Sequence, residues 1–362
     1  WVPSVRGAGL PSAGVELEAL TGWWTSVAAA DLDGDGRMDF IAGNRGWNWF
    51  PTPRNPGPPA ALGEANRRRV AYADFDGNGG VDLIESYRLG DRELPVRRAD
   101  ALFAVFPQLR DTFPTRAAFG AAGVAELLRA LSPGPAPSEL EARWFASSAF
   151  LNRGDHYQVV TLPIEAQFAP VSGMGVGDFD GDGRLDVALA QNFYPVRPDE
   201  ARQDAGRGLL LRGVGDGSFE VMSAAASGIV AWGDARAAAV ADYDQDGRAD
   251  LVITQNVGPT RLFHNDTGRP GVRVQLIGPP ANPQAIGARL RLLTAGAPGP
   301  VQEVQSGSGW LSVDSPARVL SSTEPPVSVE VRWPSGSVTR SALKPGVHAV
   351  RITIDGVLQV SP

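Results

Sequence analysis

One nine-residue acidic pattern, written four times, constrains this chain more than any other feature. It reads DLDGDGRMD at 31–39, DFDGNGGVD at 74–82, DFDGDGRLD at 178–186 and DYDQDGRAD at 242–250. Three or four carboxylates on one tight turn repel one another unless a cation sits between them. Glycine at position 6, and in three copies at position 4, lets the backbone curl until alternate side chains converge. The candidate ligands are Asp31, Asp33, Asp35 and Asp39; Asp74, Asp76, Asn78 and Asp82; Asp178, Asp180, Asp182 and Asp186; and Asp242, Asp244, Asp246 and Asp250. The backbone carbonyls at position 7 (Arg37, Gly80, Arg184 and Arg248) would add a further oxygen to each loop.

An all-oxygen donor set without His or Cys suits a hard cation, and flexible high coordination favours Ca2+ over Mg2+. The expectation is up to four Ca2+ sites, one per loop; the alternative is a metal-free Asp/Gly turn. The start of each loop is EF-hand-like, but there is no Glu at position 12 of that kind and no flanking helix pair. Asn78 replaces a carboxylate at position 5, so the second loop is expected to bind most weakly. The loops hold 15 of the 40 acidic residues, and four divalent cations would carry the formal net charge from −7 to +1.

The loops also predict the fold class. Each lies between short apolar runs, such as Ser26–Ala30 and Phe40–Ala42, which read as buried strands. Gly and Pro make up about a fifth of the chain, which favours many short strands over long helices. The loop starts at 31, 74, 178 and 242 approach an even spacing once an insertion of about fifty residues is removed. A period of roughly 40 to 60 residues with about four strands each predicts all-β propeller blades that must stack on neighbours. Four blades are few for a ring. Either degenerate blades complete it, or it is incomplete in this chain.

Domain organisation follows from changes of texture. Residues 1–270 read as the propeller, with a helical insertion at about 99–150 that includes Val124–Leu131 and a second helical piece near Glu139–Trp144. Val15–Leu20 reads as an outer strand and Trp47–Phe50 as a further one, and GDGSF at 215–219 reads as a hairpin turn. Residues 271–362 alternate cleanly at Val272–Ile277, Ala288–Leu293, Val327–Trp333 and Val347–Ile354, which predicts a small separate β-sandwich.

The repeats resemble the FG-GAP/VCBS repeats of secreted bacterial proteins and of integrin α-subunit propellers. The C-terminal portion resembles the ASPIC/UnbV domain found with such repeats in cartilage acidic protein and bacterial relatives. That second resemblance rests on Ala285–Arg289, Gly307–Ser312 and the VRWPSG run at Val331–Gly336. Ala317–Glu324 lacks the His-Phe-Gly-Leu-Gly that family members often carry. The resemblance implies an extracytoplasmic (secreted, periplasmic or cell-surface) bacterial protein, a calcium-stabilised scaffold with no known reaction for most relatives.

Other function classes find less support. The acidic balance argues against nucleic acid as a partner, and no run is long enough to span a membrane. With no Cys there are no disulfides or thiolate chemistry. His156, His264 and His348 fit neither a zinc site nor a hydrolase triad, and GVGDG at 213–217 reads as a turn rather than a phosphate loop. The expected function is a non-enzymatic binding module with a protein or glycan partner on the propeller rim or the C-terminal domain. The alternative is a polysaccharide hydrolase or lyase. The start at Trp1 fits a processed product, a piece of a longer chain, or a subunit of a larger envelope complex. Trp47, Trp49 and Tyr194 could stack on sugars, although packing between blades is the favoured use. Asn265–Thr267 fits a glycosylation sequon at a turn.

Overall fold

The computed structural model describes residues 4–7, 15–47, 67–131, 137–198 and 200–360. The expected strand at Trp47–Phe50 and the Pro-rich stretch after it fall largely outside these residues. Tracing the chain, β1 (Ser4–Gly7) and β2 (Val15–Glu16) precede a 3-10 turn at Leu17–Ala19, so the expected strand at 15–20 is only two residues long. Then β3 (Trp24–Ala30) and β4 (Asp39–Asn44) flank the first acidic loop. β5 (Arg68–Ala73) and β6 (Asp82–Leu89) flank the second, followed by β7 (Arg92–Pro95), α1 (Ala99–Val105), α2 (Leu109–Thr112), α3 (Arg116–Ala121), α4 (Val124–Leu131) and β8 (Ser138–Ala142). Next come β9 (Ser148–Asn152) and β10 (His156–Thr161), then β11 (Val171–Gly177) and β12 (Asp186–Gln191) around the third loop. β13 (Leu209–Gly213) and β14 (Phe219–Met222) follow as the expected hairpin, then β15 (Asp234–Ala241), β16 (Asp250–Asn256) and β17 (Arg261–Phe263) around the fourth loop.

The chain divides into two compact units. One comprises Trp1–Val2, Gly9–Trp23 and Phe50–Phe145, and the other Pro3–Ala8, Trp24–Trp49 and Ala146–Pro362. In the smaller unit, β7-β6-β5-β8 form a four-stranded antiparallel sheet carrying the second loop. Helices α1, α2 and α4 pack Leu102, Phe103, Phe106, Leu109, Leu127 and Leu131 on Ala71, Phe75 and Ile84 of this sheet and its loop. The helical piece expected near Glu139–Trp144 is instead the strand β8. Its alternating Glu139 and Glu141 lie beside Arg67 and Arg69 of the neighbouring segment (Arg67–Glu141 2.5 Å), and this pairing overrides the local helix preference of Ser-Glu-Leu-Glu-Ala.

In the larger unit the blade of the first loop is split in sequence. Its β3 and β4 are completed by β9 and β10, with Phe40 opposite Phe150 and Ile41 opposite Ala149, more than a hundred residues later. The intervening segment is therefore larger than the fifty-residue helical insertion expected, and it contains the second loop and its sheet. The expected buried strand Ser26–Ala30 is also only half-buried, with Val27 63% exposed.

The sheets stack face to face as propeller blades do. Strand β12 is buried along its whole length because both of its faces are covered. Val187 and Leu189 pack with Ile41 and Leu151 of the first blade, while Ala188 and Ala190 pack with Ala238, Leu251 and Ile253 of the β15-β16-β17 blade. Close approach of the inner strands requires Gly173, since a Cβ there would lie 2.8 Å from the Arg236 carbonyl oxygen.

The C-terminal strands β18 (Val272–Ile277), β19 (Arg289–Leu293), β20 (Gln302–Glu303), β21 (Arg318–Leu320), β22 (Ser328–Arg332), β23 (Val338–Ala342), β24 (Ala349–Thr353) and β25 (Leu358–Val360) form two four-stranded sheets. Their orders are β21-β18-β24-β25 and β20-β19-β22-β23, and Val274, Leu290, Val329, Val331, Trp333 and Ile352 fill one core between them. This is the small sandwich the alternation predicts. It clusters with the blades of the first, third and fourth loops in one compact unit.

Candidate metal centres

The four loops fold by one hydrogen-bond rule that the nine residues themselves supply. The position 1 carboxylate accepts the N–H of the position 6 glycine: Gly36 to Asp31, Gly79 to Asp74, Gly183 to Asp178 and Gly247 to Asp242, at 2.8–3.3 Å. The position 5 side chain accepts the N–H of position 7, so Arg37, Gly80, Arg184 and Arg248 sit on Asp35, Asn78, Asp182 and Asp246. The position 6 glycines have φ between +83° and +88° and the position 4 glycines between +73° and +75°, a region L side chains avoid. Gln245 occupies position 4 of the last loop at φ +67°.

Within each loop the carboxylates of positions 1, 3 and 9 converge to within 4.8 Å of one another: Asp31, Asp33 and Asp39; Asp74, Asp76 and Asp82; Asp178, Asp180 and Asp186; Asp242, Asp244 and Asp250. Each set could hold a metal ion. Position 5 is not part of those sets. Asp35 and Asp246 are instead engaged by the guanidinium of Arg37 and Arg248 respectively, and Asp182 by that of Arg212 at 3.0 Å.

Position 9 has a second task that spacing alone does not disclose. One oxygen accepts the position 2 N–H, and in three loops the other reaches the end of the blade's third strand. Asp39 takes Leu32 (2.9 Å) and Asn152 (2.7 Å), Asp186 takes Phe179 (2.9 Å) and Gly213 (2.8 Å), and Asp250 takes Tyr243 (3.1 Å) and Asn265 (2.8 Å). Asp39, Asp186 and Asp250 are thus strand clamps as well as candidate ligands, and nothing in the nine-residue pattern marks Asn152, Gly213 or Asn265 as their partners. Asp82 accepts the Phe75 N–H at 3.0 Å. Its loop is also the exposed one, with Asp74 and Asp76 open to solvent.

Burial sets the electrostatics. Desolvation pushes Asp186 up to about 7, and Asp39 and Asp178 each to about 6, against the pull of the N–H groups they accept. Asp31 and Asp242 are raised for the same first reason, with neighbouring loop carboxylates adding to it. Among the loop carboxylates, two buried oxygens are left without a hydrogen-bond partner: Oδ1 of Asp31 and Oδ1 of Asp242, both at position 1. An orphaned buried carboxylate oxygen beside two more carboxylates is costly unless a cation meets it. The donor set and these orphans fit a hard divalent ion.

Basic side chains from elsewhere in the unit neutralise the outer carboxylates. Arg153 reaches Asp33 and Asp35, and Arg212 binds Asp180 at 2.8 Å as well as Asp182. His264 Nε2 lies 3.0 Å from Asp244. Two of the loops are tied to the C-terminal sandwich: Asp31 Oδ2 accepts the Val301 N–H at 2.8 Å, and Arg273 lies 3.5 Å from Asp242. Tyr194 and Asn265 have structural roles. The Tyr194 hydroxyl donates to the Trp232 carbonyl at 2.5 Å and its ring lies under Arg202, while Trp49 falls outside the described residues. The Asn265 amide donates to the carbonyls of Phe179 and Ala249, so this sequon is tied into the blade.

Comparison with known proteins agrees with this architecture. Residues 23–58, which include the first loop, match the family model described as FG-GAP repeat, and residues 278–357 match the model described as ASPIC and UnbV. The chain carries an FG-GAP repeat and a C-terminal ASPIC/UnbV domain, and its all-β blades are the propeller-like fold that such repeats imply. No curated protein matches. A solved structure, that of the exotype rhamnogalacturonan lyase YesX, aligns over 93% of this chain and 74% of its own at 13% identity with a TM-score of 0.21, a likeness too slight to carry an argument. Among the described residues no helix is long and apolar enough to cross a membrane.

Proposed function

We propose that the loops are Ca2+ sites and that the protein is an extracytoplasmic, non-catalytic binding module whose blades depend on those ions. The observation that carries the reading is the orphaned, fully buried Oδ1 of Asp31, one member of a three-carboxylate cluster. Bound Ca2+ would supply the positive charge that offsets these buried carboxylates. The residues that would hold it are positions 1, 3 and 9, helped by position 5 and by the carbonyls of Arg37, Gly80, Arg184 and Arg248. Oxygen-only ligands and repetition of one loop favour calcium, and sites of extracellular modules are tuned to the roughly 0.1–1 mM range.

The loop residues act on structure rather than on a substrate. Asp39, Asp186 and Asp250 join the inner strands of their blades to a third strand, and Asp31 holds the backbone of Val301 in the sandwich. An ion whose coordination is filled by the carboxylates and the carbonyl of its own loop has little left for a substrate, which supports a scaffold over an enzyme. Thermal melting with Ca2+ and with chelator tests this. At a hundred times Kd each site adds about 2.7 kcal/mol of stability, so Tm should rise by several degrees, and equal Tm in both conditions would refute the proposal.

A further inference from the structure

A cavity of about 290 Å3 opens in the larger unit between the inner strands β3 and β11 and the C-terminal segment 302–318. Val27, Met174 and Val176 give it an apolar wall; Gln302, Gln305 and Ser308 give it amide and hydroxyl groups. We propose that this cavity binds a neutral sugar residue. The inference deepens the binding-module reading and rests on it, by naming the ligand class and the site.

Charge decides the class of ligand. The ionised groups that line the cavity are already paired: Arg318 with Asp314 at 3.3 Å, and Glu303 with Arg289 at 2.8 Å. Asp314 further accepts the Val240 N–H at 2.9 Å, and Arg318 donates to the Glu303 carbonyl at 2.8 Å. Two lining carboxylates against one lining guanidinium disfavour an anion, and neither carboxylate is open to a cation.

What remains is neutral hydrogen-bonding capacity. Ser308 Oγ and Arg318 Nε are buried without a partner. The Gln302 and Gln305 amides spend one N–H each on the carbonyls of Val319 and Ala29, which leaves both carbonyl oxygens as acceptors. Hydroxyl groups, each both donor and acceptor, match this mixed set, and the apolar face of a pyranose matches the wall. The volume of about 290 Å3, just under the roughly 300–1,000 Å3 of ligand pockets, suits one ring rather than a chain segment.

The turn at the cavity's rim supplies a further feature of such sites. Ser308 N–H donates to the Ser312 carbonyl at 2.9 Å, Leu311 takes φ +48°, and Trp310, next to the lining Gly309, is 69% exposed. The exposed indole, which follows the lining Gly309 in sequence, offers a stacking face for a sugar.

The test is tryptophan fluorescence and ligand-observed NMR on the full calcium-loaded chain. The probes are methyl α-glucoside, methyl β-galactoside, N-acetylglucosamine and glucuronic acid. The expected result is saturable binding of at least one neutral sugar at millimolar concentration and weaker binding of the uronic acid. Ser308→Ala should weaken it about three- to tenfold, the loss of one hydrogen bond. Trp310→Ala, an exposed change that leaves the fold intact, should weaken it by a similar factor, and Val27→Trp, which fills the mouth, should abolish it. No binding of any neutral sugar overturns the inference, as does binding unaffected by Ser308→Ala and Val27→Trp. A normal calcium-dependent Tm shift in the same sample shows that the inference alone has failed, and its loss shows that the module reading has failed.

Discussion

Stability of the calcium-free protein should fall as pH rises from 5 to 7.5, against the usual direction for carboxylates. Asp186 has the strongest reason: its carboxylate is buried and its pKa stands at about 7 against an ordinary 3.8. A group raised in the folded state contributes stability that is complete below the unfolded pKa, near 4, and is lost as pH rises through the folded value. At 1.36 kcal/mol per pKa unit the loss for Asp186 is about 4 kcal/mol by pH 8. Asp39 and Asp178, each at about 6, lose theirs earlier in the same window. Ordinary carboxylates have finished titrating by pH 5, so among the carboxylates the window isolates the loops, and the Asp186→Asn comparison separates them from the three histidines that also titrate there. The assay is urea denaturation of metal-stripped protein at several pH values, read as the midpoint. With saturating Ca2+ the decline should vanish, because the ion favours the charged form, and the calcium effect should therefore grow with pH. Asp186→Asn, which removes the charge but keeps an acceptor, should flatten the stripped-protein curve. A midpoint that is level or rising between pH 5 and 7.5 without metal would refute the burial argument.

Other consequences are more local. In a calorimetric Ca2+ titration the second loop should fill last, since Asn78 removes a charge and Asp74 and Asp76 are exposed; Asp74→Asn should leave the tighter phases unchanged. Gln245→Gly should raise stability by about 1 kcal/mol, by relieving a left-handed backbone at φ +67° that costs a side chain roughly 1–2 kcal/mol. Chemical denaturation would measure it, and a loss of stability would count against the strain. Gly181→Ala should cost more than Gly34→Ala at nearly the same φ. A Cβ at Gly181 would lie 2.3 Å from the Arg269 carbonyl oxygen, whereas at Gly34 it meets nothing within 4 Å. Equal losses in the two variants would remove the steric part of that argument.

The loops were legible in sequence because their geometry is written within nine residues. In every copy Asp at 1 accepts the N–H of Gly at 6 and Asp at 9 accepts the N–H of position 2, whatever surrounds them. The sandwich strands were legible for a similar reason, since alternation such as Val272–Ile277 records which face is buried. Long-range pairing was not. Ser-Glu-Leu-Glu-Ala carries helix-favouring residues, and only the Arg-bearing strand beside it makes it β8. Nor does any local signal say that β4 waits for β9, because Phe40 and Phe150 are stacked by the fold with centroids 4.4 Å apart. Site residues supplied from a distance, such as Arg153, Arg212 and Val301, were hidden for the same reason.

The four copies differ in what their outward oxygens meet, and that difference gives each loop its place. In the third loop Asp178 Oδ1 is satisfied by the N–H groups of Gly181 and Asp182, and Arg212 covers Asp180 and Asp182, so the cluster is nearly complete within its own blade. In the first and fourth loops the same oxygen is orphaned, and these are the two whose position 1 carboxylate faces the C-terminal sandwich through Val301 and Arg273. Their need for a cation is therefore greatest where the loop also holds another domain. Val301 directly precedes Gln302, which lines the cavity, so any change at Asp31 is one residue from that wall. Repetition fixed a common fold for the loop. The neighbours then paired the charges of one copy within its own blade, and made two others joints between blade and sandwich.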